Sequence, residues 1–156
     1  MAGERTLIIL KPDSVNRALS GRLIARFEEK GLKIVGMKME HLKPYKLKEH
    51  YAHHKDKGFY EELIKFMSSI PSILVVLEGK EVVDVVRKMV GSTLGREADP
   101  GTIRGDFSVS NQQNLVHASA TVEEAKAEIK RFFDEKELYN YTKMNFDWIY
   151  NQSEKA

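Results

Sequence analysis

Ile73-Leu74-Val75-Val76-Leu77 is an unbroken apolar run between Pro71 and Gly79, and the fold turns on how it is read. Five apolar residues closed by a proline and a glycine are short for a helix and right for a central strand. Working outward, Val82, Val85, Val86 and Met89 recur at helical spacing, with Arg87 turned away from that stripe. On the other side Tyr60, Leu63, Ile64 and Met67 form a second stripe, and the polar stretch Lys46-Leu47-Lys48-Glu49-His50 ahead of it also reads as helical.

Near the start, Thr6-Leu7-Ile8-Ile9-Leu10 is a buried strand stopped by a turn at Lys11-Pro12-Asp13. Leu23, Ile24 and Phe27 predict a helix closed by Gly31. Val35, Met37 and Met39 alternate with Gly36, Lys38 and Glu40, which predicts a half-buried strand with the first three inward. After Met89 a long glycine-bearing segment runs from Gly91 to Gln113, and loops of that length in a small domain tend to be functional. A short strand at His117 follows, then a helix from about Val122 to Phe133 with capping-box spacing at Thr121 and Glu124. This order predicts an α+β, ferredoxin-like βαββαβ fold, a four-stranded antiparallel sheet with helices covering one face. One domain over 1–156 is expected, with a core at about 4–150 and a tail at 151–156.

At 156 residues, 42% hydrophobic and 31% charged, the chain has the balance of an ordinary globular domain. A formal charge of +2 is too small for the basic patch that nucleic acid binding needs. Without cysteine there is neither a disulfide framework nor a thiolate metal site, and a cytoplasmic location is expected. No signal segment and no apolar stretch of bilayer-spanning length is present, so no membrane association is expected.

His117 stands after a short apolar run and before a helix start, where rigid elements hold a group that titrates near neutrality. Lys11, Tyr51, Thr93, Arg104 and Asn114 also fall at strand ends or in loops, and Arg87 stands off the apolar stripe of its helix. Singly, each cation is an ordinary surface charge. Together, cations and neutral hydrogen-bonders around an imidazole suit a phosphate-rich ligand, since phosphoryl transfer asks mainly for charge stabilisation. Glu128, on the following helix, is within reach to orient the imidazole or else is a solvated helix charge. No GxxxxGK[ST] and no GxGxxG is present, so a nucleotide site must be built from side chains. His50 and His54 are spaced one helical turn apart, but the HExxH pattern fails with Tyr51 in the glutamate position. An RNA-binding sheet would need an aromatic where Arg104-Gly105-Asp106-Phe107 has Asp106.

Lys11-Pro12-Asp13, His50-Tyr51, Phe59, Arg87, Gly101-Thr102-Ile103-Arg104-Gly105-Asp106-Phe107 and Asn114-Leu115-Val116-His117 occur in one order at compatible spacings. As a set they closely resemble nucleoside diphosphate kinase over about Glu4 to Tyr150. The resemblance implies that His117 is a nucleophile phosphorylated on Nδ1, with Glu128 on the other ring nitrogen. It implies that Lys11, Arg87, Thr93, Arg104 and Asn114 contact phosphates or ribose, that Phe59 stacks on the base, and that Leu63 lines the same cleft. Tyr51 and Ser119 resemble groups that support the histidine. A ping-pong exchange between nucleoside tri- and diphosphates with broad base specificity follows from the resemblance. So does Mg2+ carried on the nucleotide phosphates without dedicated protein ligands, and self-association into hexamers or, in some bacterial members, tetramers. The chain departs from the family at Ala118 and Ala120 beside the nucleophile, at Lys57-Gly58, at Leu94-Gly95 and at Gln112-Gln113. None of these is a residue assigned to chemistry, and an active enzyme is expected over a catalytically silent relative.

Overall fold

β1 (Glu4–Leu10) and β3 (Ser72–Gly79) carry apolar side chains at successive interior positions, so both of their faces need cover. A computed structural model describing residues 3–154 shows how that cover is supplied; Lys155 and Ala156 of the expected tail lie outside the described residues. With β2 (Lys33–Glu40) and β4 (Val116–Ala118) the strands form one sheet in the order β2-β3-β1-β4, antiparallel throughout. This is the expected four-stranded α+β topology.

The expectation that helices cover one face is corrected. Leu7, Ile9, Leu74 and Val76 pack against α3 (Pro44–His50), α4 (Tyr60–Met67) and α7 (Val122–Phe132). Ile8, Leu10, Val75 and Leu77 pack on the other side against α2 (Ser20–Glu29), α5 (Val82–Val90) and α6 (Ile103–Phe107). At roughly 1.5–3 kcal/mol for each fully buried aliphatic side chain, neither face can be left to water. Among the described residues the remaining α-helices are α1 (Pro12–Asn16) and α8 (Phe146–Ile149). Among the described residues no helix is long and apolar enough to cross a membrane.

Lys11-Pro12-Asp13 ends β1 as expected, but it opens a helix and not a simple turn. Pro12 stands in the first turn, where its missing N–H is not needed. Gly31 ends α2 with φ +97°; its N–H donates to the Glu28 carbonyl, and the Leu32 N–H reaches back to Phe27. The β2 reading needs the larger correction. A bulge between Ile34 and Gly36 inserts Val35, so the strand changes face partway along. Val35 stays inside, while Met37 and Met39 come out 56% and 59% exposed on the free edge of the sheet. Lys38, turned to the covered face, lies over the Phe133 ring at 4.7 Å.

The segment from Gly91 to Gln113 is not one open loop. It holds a 3-10 turn at Gly95–Glu97 and then α6, so Arg104-Gly105-Asp106-Phe107 lies on a helix and not on a sheet strand. Gly91 has φ +86°, and a Cβ there would sit 2.5 Å from Thr102 Oγ1, so no other residue fits.

Candidate active site

β4 is only three residues long and hangs on β1 alone, with Ile9 opposite His117 and Leu10 opposite Val116. His117 therefore projects from the same face as Ile9, towards α3 and α7. The chain enters β4 through Leu115, buried with φ +74°, a left-handed conformation that costs an L-residue free energy. The β1–α1 junction holds it there. Asp13 Oδ2 accepts the Leu115 N–H at 3.0 Å, and the Leu115 carbonyl accepts from the Lys11 N–H at 2.9 Å and the Ser14 hydroxyl at 2.5 Å.

One carboxylate oxygen organises the imidazole. Glu128 Oε2 lies 3.0 Å from His117 Nε2 and accepts the Ser119 hydroxyl at 2.6 Å. Ser119 Oγ in turn accepts from the Leu7 N–H at 3.3 Å. Burial pushes the Glu128 carboxyl up, but the hydrogen bonds from His117 and Ser119, with the charge of Arg131, outweigh it and hold it below its ordinary value. An ionised carboxylate on Nε2 selects the Nε2–H tautomer and leaves the Nδ1 lone pair available.

The cations gather beside this pair. Lys11 Nζ donates to Asn114 Oδ1 at 2.6 Å and to the Gln112 carbonyl at 3.3 Å. Burial, helped by Arg104, lowers its pKa to about 8. Arg104 is buried and spends three N–H groups on backbone carbonyls, Nε on Asn114, Nη1 on Gly91 and Nη2 on Val116. Two of its five N–H groups remain for a ligand. Burial, and then Arg87, bring its pKa down to about 10. Asn114 ties the loop together by donating Nδ2 to the carbonyls of Thr93 and Asn111, both at 2.9 Å. The Thr93 side chain is exposed. Arg87 is exposed on α5 at the mouth of a cavity of about 610 Å³ shared with Gly91 and Thr102. Another cavity, about 510 Å³, lies at the opposite end of the sheet around Lys33, Glu78, Tyr141 and Tyr150 and contains none of these groups.

A run of rings leads from the imidazole to the surface. Tyr51 stands edge-on to His117 with centroids 6.1 Å apart, His54 stacks on Tyr51 at 6.3 Å, and Phe59 meets His54 edge-on at 5.3 Å. The Tyr51 hydroxyl is buried without a hydrogen-bond partner. Its burial, reinforced by the Glu128 charge, raises its pKa, so the phenol keeps its proton. Phe59 is 44% exposed and presents a ring to solvent. Leu63 is buried in the core one turn further along, its N–H bonded to the Phe59 carbonyl.

The structure thus brings Lys11, Tyr51, Arg104, Asn114, His117, Ser119 and Glu128 together; Arg87, Thr93 and Phe59 stand at the rim, and Leu63 lies beneath it. His50 and His54 do not share a helix, because α3 ends at His50 and a separate 3-10 turn spans Ala52–His54. The sequence gives no sign that His50 neighbours His117, yet its ring lies edge-on to that imidazole at 4.5 Å. His50, His117 and Glu128 bring three donor groups within 4.8 Å of one another. The departures from the family pattern are accommodated. Ala118 pairs with Ile8 and is not among the positive-φ residues. Thr121 accepts the Glu124 N–H at 3.1 Å, and the Glu124 carboxylate turns back to the Ala120 N–H at 3.3 Å.

The nucleoside diphosphate kinase family model matches residues 4–138. The chain belongs to the nucleoside diphosphate kinase family. It is similar to the nucleoside diphosphate kinase of Methanothermobacter thermautotrophicus, 46% identical over 96% of this chain and 99% of that one. The nucleoside diphosphate kinase of Bacillus cereus is also 46% identical, over 94% of this chain and 99% of its own. Among solved structures, a nucleoside diphosphate kinase of Halobacterium salinarum in complex with CDP superposes with a TM-score of 0.93 at 40% identity, covering 95% of this chain and 99% of that one. A family protein of Babesia bovis gives 0.91 at 41% identity, covering 94% and 99%. As a nucleoside diphosphate kinase, the chain is a phosphotransferase acting on nucleoside di- and triphosphates.

Proposed function

We propose that the chain exchanges phosphate between nucleoside tri- and diphosphates by a ping-pong reaction through phosphohistidine at His117, with broad base specificity. The observation that carries this reading is the Glu128 Oε2 contact to His117 Nε2 at 3.0 Å, which leaves Nδ1 as the nucleophile. In the first half-reaction the Nδ1 lone pair forms a bond to the γ-phosphorus as the bond to the β–γ bridging oxygen breaks, and the diphosphate leaves. Positive charge developing on the ring is balanced by Glu128, which Ser119 holds in place. A terminal phosphate oxygen of the second diphosphate then attacks, the N–P bond breaks, and its electrons return to Nδ1. Lys11, Arg87 and Arg104 offset charge on the phosphates, while Asn114 and Thr93 serve the phosphate and ribose side. The buried hydroxyl of Tyr51, unpartnered and held neutral, is a donor kept for the transferring group. Stacking on Phe59, above Leu63, accepts any base because every base has a π-face.

Mg2+ fits this site only as a passenger on the nucleotide, because the carboxylate at the nucleophile, Glu128, is already bonded to His117 and Ser119. When bound it neutralises phosphate charge. We read the chain as one cytoplasmic domain that self-associates, as a hexamer or alternatively a tetramer. The exposed Met37 and Met39 on the edge of β2 support an assembled state, and light scattering distinguishes the two sizes.

Brief incubation with γ-labelled ATP tests the central claim. The expected product is an acid-labile, base-stable phosphoprotein that chases onto GDP and is lost in His117→Ala; labelling that persists in that variant overturns the assignment. Phosphate exchange between ATP and dGDP separates this reading from a silent relative.

A further inference from the structure

Arg131 lies on α7 three residues past Glu128, and its guanidinium reaches across to α3. Nη1 is 3.3 Å from Nδ1 of His50, and Nε donates to Glu49 Oε1 at 3.1 Å. A guanidinium has only donors and stays protonated, so the nitrogen it meets must be an acceptor. His50 Nδ1 therefore carries no proton, and the neutral ring holds its proton on Nε2. The ring is immobilised as well as polarised. The His50 side chain is fully buried, edge-on to Tyr51 at 4.5 Å, to Phe132 at 5.1 Å and to His117 at 4.5 Å.

The same His50 Nδ1 lies 3.8 Å from Glu128 Oε1, beyond hydrogen-bond length. A proton on that nitrogen would set a second donor beside the carboxylate. Glu128 would then serve two imidazoles, and the share given to one would be withdrawn from the other. Groups facing His50 are His117 on β4, Glu128 and Arg131 on α7, Lys11 at the end of β1, and Glu49, Tyr51 and His53 beside it in the chain. Burial, then His117 and Arg131, push the His50 ring far below its ordinary range, which keeps it from resolving the competition by taking up a second proton.

We infer that Arg131 is a positioning residue for phosphotransfer: by donating to His50 Nδ1 it fixes that ring's tautomer and reserves the Glu128 carboxylate for His117. This rests on the reading of His117 as the nucleophile. Arg131 touches no reacting atom; its charge also helps hold the Glu128 carboxyl low, and the His50 tautomer is the readout that this charge alone does not set.

The test is long-range 1H–15N NMR of the histidine rings in the full chain and in Arg131→Leu and Arg131→Lys, paired with rapid-quench formation of the phosphoenzyme from ATP. The expected result is an Nε2–H tautomer for His50 in the parent and an Nδ1–H tautomer in Arg131→Leu. Phosphorylation slows roughly fivefold, the worth of one hydrogen bond, with the KM for nucleotide unchanged. Arg131→Lys, which keeps a charged donor, restores both readouts. An unchanged His50 tautomer in Arg131→Leu overturns the inference, and so does a tautomer switch that leaves the rate alone. The two failures are separable, because loss of the nucleophile assignment shows as labelling that survives in His117→Ala, whatever the His50 tautomer.

Discussion

Glu128 meets His117 through one oxygen and turns its other oxygen towards a second imidazole, at 3.0 Å and 3.8 Å respectively. On the proposed mechanism the nearer contact supplies charge to the ring that is phosphorylated. Glu128→Gln keeps an acceptor but removes that charge, and the expected loss in kcat is about 100-fold, the low end for a group of this kind. KM for the nucleotide stays the same. Steady-state kinetics check both, and a variant with parental kcat would show that the carboxylate's charge is irrelevant.

On the proposed mechanism, Lys11 sets an alkaline limit to the reaction. Its pKa is lowered from 10.5 to about 8, chiefly by burial, so the charge that phosphate binding needs is lost as pH climbs through about 8. In kcat/KM, which reports the free enzyme, the limb is expected there, and Lys11→Arg moves it outward. Fold stability runs the other way. Between the folded and ordinary values the unfolded chain holds the proton more tightly, so stability rises with pH in that window. Kinetic profiles and denaturant midpoints across that range check the opposed trends.

Phe59 is exposed and touches little of the core, so Phe59→Ala leaves the thermal midpoint almost unchanged. The stacking lost is about 1–3 kcal/mol per base, which predicts a rise in KM of roughly 5- to 150-fold. The rise is expected to be of similar size for purine and pyrimidine nucleotides. A loss confined to one base would refute stacking as the common anchor.

Leu115 sets strain against burial. Leu115→Gly relieves about 1–2 kcal/mol of left-handed backbone strain, but emptying a fully buried leucine site costs about 2–5 kcal/mol. Burial wins, and a fall in Tm of several degrees is expected by calorimetry. A higher Tm would mean that strain dominates.

Much of this was legible in the residues. The run Thr6–Leu10 marked a buried strand and Ile73–Leu77 a central one, and the ordered motifs picked out residues that the fold gathers around His117. What stayed hidden was relational. Two faces needed cover because neighbouring residues of β1 and β3 point opposite ways, which a single run does not separate from one buried face. Met37 and Met39 were assigned inward because a bulge leaves no trace in an alternating pattern. His50 pointed to His54 by spacing, yet its partners are Arg131, 81 positions away, and His117. Arg131 carries no motif, and only the fold sets it beside α3.

The bulge at Val35 has a further consequence for how such a chain can change over generations. Because side chains alternate along a strand, gaining or losing one residue there would exchange the inward and outward sets along the rest of β2. The outer rim of the sheet could be rewritten by a single-codon insertion or deletion, with no codon altered at Lys11, His117 or Glu128. His117 hangs from the opposite edge, on β4, with β3 and β1 between it and that change. The exposed β2 edge and the cluster around His117 are therefore free to evolve at different rates.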